Sequence, residues 1–147
     1  MKDWPLFNAA GDLPEGVHGA TLTEIVEFLG AGSPRRVMLS RRLQHIYQLV
    51  QRTGCLARFI VFGSFVTDKA EPNDVDIFLL MDDTFDVTRI VGETAVLFDH
   101  VAAQNYAGAS IFWLRRLAAL DGEQAAIEHW QVKRSGGRRG VIEITGP

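Results

Sequence analysis

An internal disulfide is the first feature the sequence excludes. Its 147 residues include one cysteine, Cys55, and a lone thiol cannot close a bridge. The surrounding "GCLARF" reads as the setting of a small buried hydrophobe rather than of a nucleophile. Long apolar runs are missing too. No segment approaches the ~20 residues that a membrane-spanning helix needs. Residues 1–20 contain no uninterrupted apolar stretch of the kind a secretory signal uses. The expected location is the cytoplasm, with no membrane partner. A surplus of positive charge is also absent. Fifteen Lys and Arg stand against 18 Asp and Glu, a net charge of −3, which argues against a chain that wraps nucleic acid with its whole surface. There is no repeat, no low-complexity tract and no linker long enough to divide the chain.

What remains has the balance of a single globular domain, 47% apolar and 22% charged, with a modest core. The charge is unevenly spread. Asp68, Glu71, Asp74, Asp76, Asp82, Asp83 and Asp86 crowd the middle, and Lys133, Arg134, Arg138 and Arg139 crowd the C-terminal part. Residues 1–20, with Pro5, Pro14, Gly11, Gly16 and Gly19, read as an extended leader packed by Trp4, Leu6 and Phe7. "TLTEIVEFLG" predicts a helix with a Thr21/Glu24 capping box and Gly30 at its end. "SPRRVMLSRRLQHIYQLVQRTG" predicts a longer helix, capped by Ser33, with Pro34 at its first position and Gly54 after it. Its apolar face is Leu39, Leu43, Ile46, Tyr47 and Val50. Arg35, Arg36, Arg41 and Arg42 fall off that face, where a solvated surface and phosphate binding are the alternatives.

"ARFIVFGS" and "VDIFLLM" are nearly continuous apolar runs, as in strands covered on both sides. Residues 86–107 read as mostly helical with a break near Gly92. Gly108 ends that segment, and "ASIFWL" is a third strand. "DGEQAAIEHWQV" predicts a short helix capped by Asp121. "QVKRSGGRRGVIEI" predicts a β-hairpin turning at Ser135-Gly136-Gly137. The expected class is α/β (α+β), a small mixed β-sheet flanked by helices. The leader spans 1–20, the core 33–113, and a C-terminal helix and hairpin 121–147.

The chemistry concentrates in residues 63–80, "GSFVTDKAEPNDVDIFLL". Side chains at i and i+2 of a strand share a face. Asp74 and Asp76 should therefore project together, with Val75 and Ile77 turned to the core. Two carboxylates that close repel unless a cation lies between them. Hard oxygen ligands in this pattern suit Mg²⁺ or Mn²⁺. Gly63 allows a ligand close to the backbone, and Ser64 adds a hydroxyl donor. A helix starting at Ser64 would add a partial positive charge for a phosphate. The competing reading is a chance Asp-x-Asp in an acidic segment, with Asp74 capping a turn after Pro72-Asn73.

Read together, "VFGSFVTDKAEPNDVDIFLL" resembles the signature of the DNA polymerase β-like nucleotidyltransferase superfamily: strand, Gly-Ser, spacer, Asp-x-Asp, strand. Over most of its length, through "LPEGVH", "YAGASIFW" and "WQVKRSGGRRGVIEI", the chain also looks like small stand-alone bacterial nucleotidyltransferase-like proteins. The resemblance implies a nucleotidyltransferase-like fold. It also implies Mg²⁺-dependent transfer of a nucleoside monophosphate from an NTP, such as ATP, to a hydroxyl on a tRNA or protein. It assigns Gly63 and Ser64 to the phosphates and Asp74 and Asp76 to the metal.

The superfamily's third carboxylate has no clear counterpart. Its position falls near Ser110, and Asp99 in "LFDHVAA" is the nearest acid, a candidate that could equally cap a helix. The alternative function is therefore a degenerate nucleotidyltransferase fold that holds a nucleotide or a partner, for example in a toxin–antitoxin or phage-defence pair. A helical partner chain or a homo-oligomer would stand in for the helical domain that many relatives use. His18, His45, His100 and His129 lack ligand spacing. Trp113, Trp130, Phe112 and Tyr106 are either core or base-stacking platforms. "KRSGGRR" is either an exposed turn or a basic patch, with Lys133 and Arg138 the candidate nucleotide-binding residues.

Overall fold

The protein is described as a computed structural model covering residues 2–146. Strand β1 (Val17–Ala20) and helix α1 (Leu22–Leu29) come first, then α2 (Pro34–Gln51), β2 (Leu56–Phe62) and β3 (Val75–Met81). Helices α3 (Gly92–Leu97) and α4 (His100–Ala102) follow, and a π-turn over Ala103–Ala107 leads into β4 (Ala109–Arg115). Helix α5 (Glu123–His129) and β5 (Val141–Ile144) complete the order. The caps of the first two helices fall where the sequence puts them. Thr21 and Glu24 make the reciprocal capping box, and Ser33 Oγ accepts from Arg36 N at 3.2 Å, one residue before Pro34.

The sheet is mixed, in the order β1-β5-β2-β3-β4. β2 is antiparallel to both β3 and β5, β3 is parallel to β4, and β1 is parallel to β5. One face carries Val61, Val75, Ile77, Leu79 and Ile111, buried against Leu39, Leu43, Ile46 and Val50 of α2. The other face carries Ile60, Phe78 and Leu80, covered by Ile127 and Trp130 at α5. That second cover is small, which leaves part of this face open. Among the described residues no helix is long and apolar enough to cross a membrane.

Four expectations change. The leader ends in an edge strand, β1. The region 86–107 is broken twice, with a 3₁₀ turn at Val87–Arg89 before Gly92 and a further break at Asp99. Helix α5 is preceded by Gly122, with no side-chain cap from Asp121. The C-terminal hairpin is reduced to one bridge, Val132↔Arg138. β5 leaves that turn to insert between β1 and β2, because its apolar residues Val141, Ile142 and Ile144 gain a buried central position there.

Candidate functional site

Because β2 and β3 are antiparallel, the end of one meets the start of the other. Phe62 lies opposite Asp76, and Gly63 follows just past the end of β2. Gly63 has φ 79°, and a Cβ built on it would stand 1.9 Å from Asp76 Oδ2. Both the left-handed backbone and the close approach demand glycine here. Ser64–Val66 is a single 3₁₀ turn, closed by Val66 N donating to Gly63 O at 3.2 Å. The longer helix considered at Ser64 does not form. One turn aligns too few peptide dipoles to build a helix-end charge.

Arg36 fixes the loop after this turn. It is buried at 6% exposure, and its guanidinium donates to the carbonyls of Leu29 (3.1 Å), Phe65 (2.9 Å), Thr67 (2.7 Å) and Lys69 (3.1 and 2.6 Å). This overturns the placement of Arg36 on a solvated or phosphate-binding surface. No local signal separates it from Arg35 and Arg41, since three of its four partners lie about thirty residues away. Arg42 donates to Gly108 O at 3.4 Å.

The parallel β3/β4 pairing sets Ser110 directly beside Asp76. Ser110 is 8% exposed, and its hydroxyl donates to Asp74 Oδ2 at 2.8 Å. Gln104 Nε2 in turn donates to Ser110 Oγ at 3.3 Å. Burial pushes the Asp76 carboxyl up to about 7, with Asp74 adding to the rise and Arg139, Arg134 and Ser110 opposing it. Asp74 and Asp76 thus act on one another across a site that serine, not a third acid, completes. Asp74 also borders a polar cleft of about 420 Å³, with Arg42, Asn73, Gln104, Asn105 and Tyr106.

Asp99 lies elsewhere. It is exposed and caps α4, accepting from Ala102 N at 3.0 Å. Among the described residues no three His, Cys, Asp or Glu gather as a metal cluster, so Asp99 does not join the pair. The Asp before a short helix is a capping signature that explains its place.

The basic turn is tied to the leader. Lys133 Nζ lies 2.8 Å and Arg139 Nη1 3.4 Å from the buried Asp12, and Arg138 pairs with Glu15. Lys133 and Arg138 therefore brace the turn, and Arg134 and Arg139 are the members whose charge reaches Asp76. Asp12 carries no local signal in the sequence, because its side-chain partners are more than a hundred residues away.

Among the histidines, His18 Nε2 bonds Pro14 O at 2.7 Å and His45 pairs with Glu93. Trp113 is anchored in the core by Phe98 O at 3.2 Å. Tyr106 is exposed, and an open aromatic cleft is lined by the exposed Phe112 and the half-buried Trp130. Cys55 is half-buried against the larger core rather than enclosed. No curated protein and no solved structure matches the chain. Its sequence does match one family over residues 5–145, and the chain belongs to that family of unknown function, DUF6932.

Proposed function

We propose that the protein binds a nucleoside triphosphate with Mg²⁺ or Mn²⁺ at Asp74 and Asp76. Its activity, on this reading, is to move the nucleoside monophosphate to a hydroxyl on a macromolecule, a tRNA or a protein. One observation carries the proposal: Asp76, coupled to Asp74, packs against a glycine bend that no side chain could occupy. The residues fit a hard divalent cation. A half-buried carboxyl that resists ionisation beside a second acid is a donor pair in need of positive charge. A cation bound there would offset the charge of the phosphates and polarise them. Gly63 lets the Asp76 carboxylate pack against the bend, and Arg134 and Arg139, whose charge reaches Asp76, would attract phosphate oxygens. In the reaction, the acceptor oxygen bonds to the α-phosphorus, the bond to the bridging oxygen breaks, pyrophosphate leaves and the hydroxyl proton passes to solvent. The test is incubation with labelled NTP, Mn²⁺ and cell extract. Label should enter the macromolecular fraction with the parent and vanish with Asp74→Asn/Asp76→Asn. Equal labelling by the double variant defeats the proposal.

Ser110 favours a second reading. A hydroxyl that donates to Asp74 offers no general base and no third anionic ligand. The protein would then hold a nucleotide without turning it over, presenting it to a helical partner chain or a second copy, as in a toxin–antitoxin or phage-defence pair. Calorimetry with a non-hydrolysable NTP separates the two, since binding without any labelling selects this one. Ser110→Asp should then raise labelling, by supplying the missing acid.

A further inference from the structure

The sheet face that carries Asp76 continues into aromatic rings. Phe62 is the cross-strand partner of Asp76, and Phe78 and Phe112 follow two residues along β3 and β4. The Phe62 and Trp130 rings lie 4.6 Å apart, Trp130 and Phe112 4.7 Å, and Phe112 and His100 4.8 Å. His129 stands edge-on to Trp130 at 4.8 Å. Beside this row lies an open cleft of about 430 Å³, lined by Phe78, Phe112, Trp130, His100 and His129. A finished core would fill such a space with interlocking side chains. Here Phe112 keeps 36% of its surface exposed. Ser110 and Phe112 are two residues apart on one strand face, so the ring row lies about 6.6 Å from the carboxylate row. A ribose spans a gap of that order.

We propose that this cleft binds a nucleobase carrying an exocyclic amino group, stacked on Phe112 and Trp130. The inference rests on the nucleotide reading above and names where the base of that nucleotide lies. Aromatic rings stack on the π-face of any base, so the amino-group preference must come from the rim. His100 Nδ1 lies 3.2 Å from Ile111 O. A carbonyl only accepts, so the tautomer that makes this bond has its proton on Nδ1 and presents Nε2 as an acceptor. An exocyclic amine donates to such an atom, and a carbonyl oxygen cannot.

Calorimetry on the full chain tests this with four probes: tripolyphosphate with Mn²⁺, non-hydrolysable ATP with Mn²⁺, adenosine alone and inosine alone. Non-hydrolysable ATP should bind more tightly than tripolyphosphate, and adenosine more tightly than inosine. Phe112→Leu keeps bulk at a partly exposed position and removes only the ring. It should weaken both adenine ligands roughly tenfold and leave tripolyphosphate unchanged. His100→Ala should erase the preference for adenosine over inosine. Equal affinities for non-hydrolysable ATP and tripolyphosphate, or adenine binding indifferent to Phe112→Leu, overturn the proposal while leaving the carboxylate site standing. Absent tripolyphosphate binding with Phe112-dependent adenosine binding does the reverse: the carboxylate reading falls and the base cleft survives. Self-association that depends on Phe112, without nucleoside binding, marks the cleft as a protein contact and also overturns it.

Discussion

The Asp76 carboxyl governs how the site responds to pH. Burial and the neighbouring Asp74 raise its folded pKa from 3.8 to about 7. The folded chain then holds a proton that the unfolded chain has released between those values. Stability from this group is therefore greatest below 3.8, falls as pH rises towards about 7 and is flat above it. Asp76→Asn keeps the shape and removes the titration. Denaturant unfolding of the metal-free protein should show the variant more stable than the parent by roughly 2 kcal/mol at about pH 8, with the gap closing below about pH 4. A parent with no pH-dependent deficit would contradict this assignment. Gly63→Ala should cost at least about 2 kcal/mol, from a strained φ and the clash with Asp76, and a thermal melt reads it. Both residues were legible in the sequence because glycine bends and alternating acids are local patterns. Ser110 was legible as well, since counting along the third strand leads to it. Asp12 and Arg139 were not, because an ion pair between distant segments leaves no mark on the residues around it.

At the scale of elements, the loop from Gly63 to Lys69 is held by α2 in addition to its own short-range hydrogen bonds. Arg36 supplies the hold, and four backbone carbonyls depend on it. Arg36→Met should lower stability by about 3–5 kcal/mol, because those buried acceptors lose a charged donor. Hydrogen exchange should quicken at Phe65–Lys69 ahead of the sheet, and uniform exchange would show that the clamp is not local. The strands β2, β3 and β4 and the helices α1 and α2 were readable from apolar runs and caps. β1 was not, because "VHGA" is short, holds a glycine and gains its strand character only from pairing with β5. The C-terminal turn forms at Ser135-Gly136-Gly137, where the sequence predicts it. Its Gly-rich signal, however, says nothing about which strand the following segment joins, and burial decided that β5 joins β1 and β2.

The whole molecule is closed by its two ends. β5 bridges β1 to β2, and Asp12 near the start binds Lys133 and Arg139 near the finish. Removing residues 140–147 deletes an inner strand whose Val141 and Ile142 are fully buried. The truncated chain should lose its near-UV circular dichroism and its cooperative melt, and a native spectrum would show the sheet to be built otherwise. The same closure ties the basic turn and the Gly63 loop to the leader, and it brings the charges of Arg134 and Arg139 to bear on Asp76. The claim that Asp74 and Asp76 grip a divalent cation carrying phosphates has a direct measurement: electron paramagnetic resonance of Mn²⁺ titrated with the protein and non-hydrolysable ATP. The parent should remove free Mn²⁺ signal in proportion to its concentration, and Asp74→Asn/Asp76→Asn should leave the signal as the nucleotide alone does. A parent that takes up no Mn²⁺ beyond the nucleotide's own share, or a double variant that takes up as much as the parent, would contradict it.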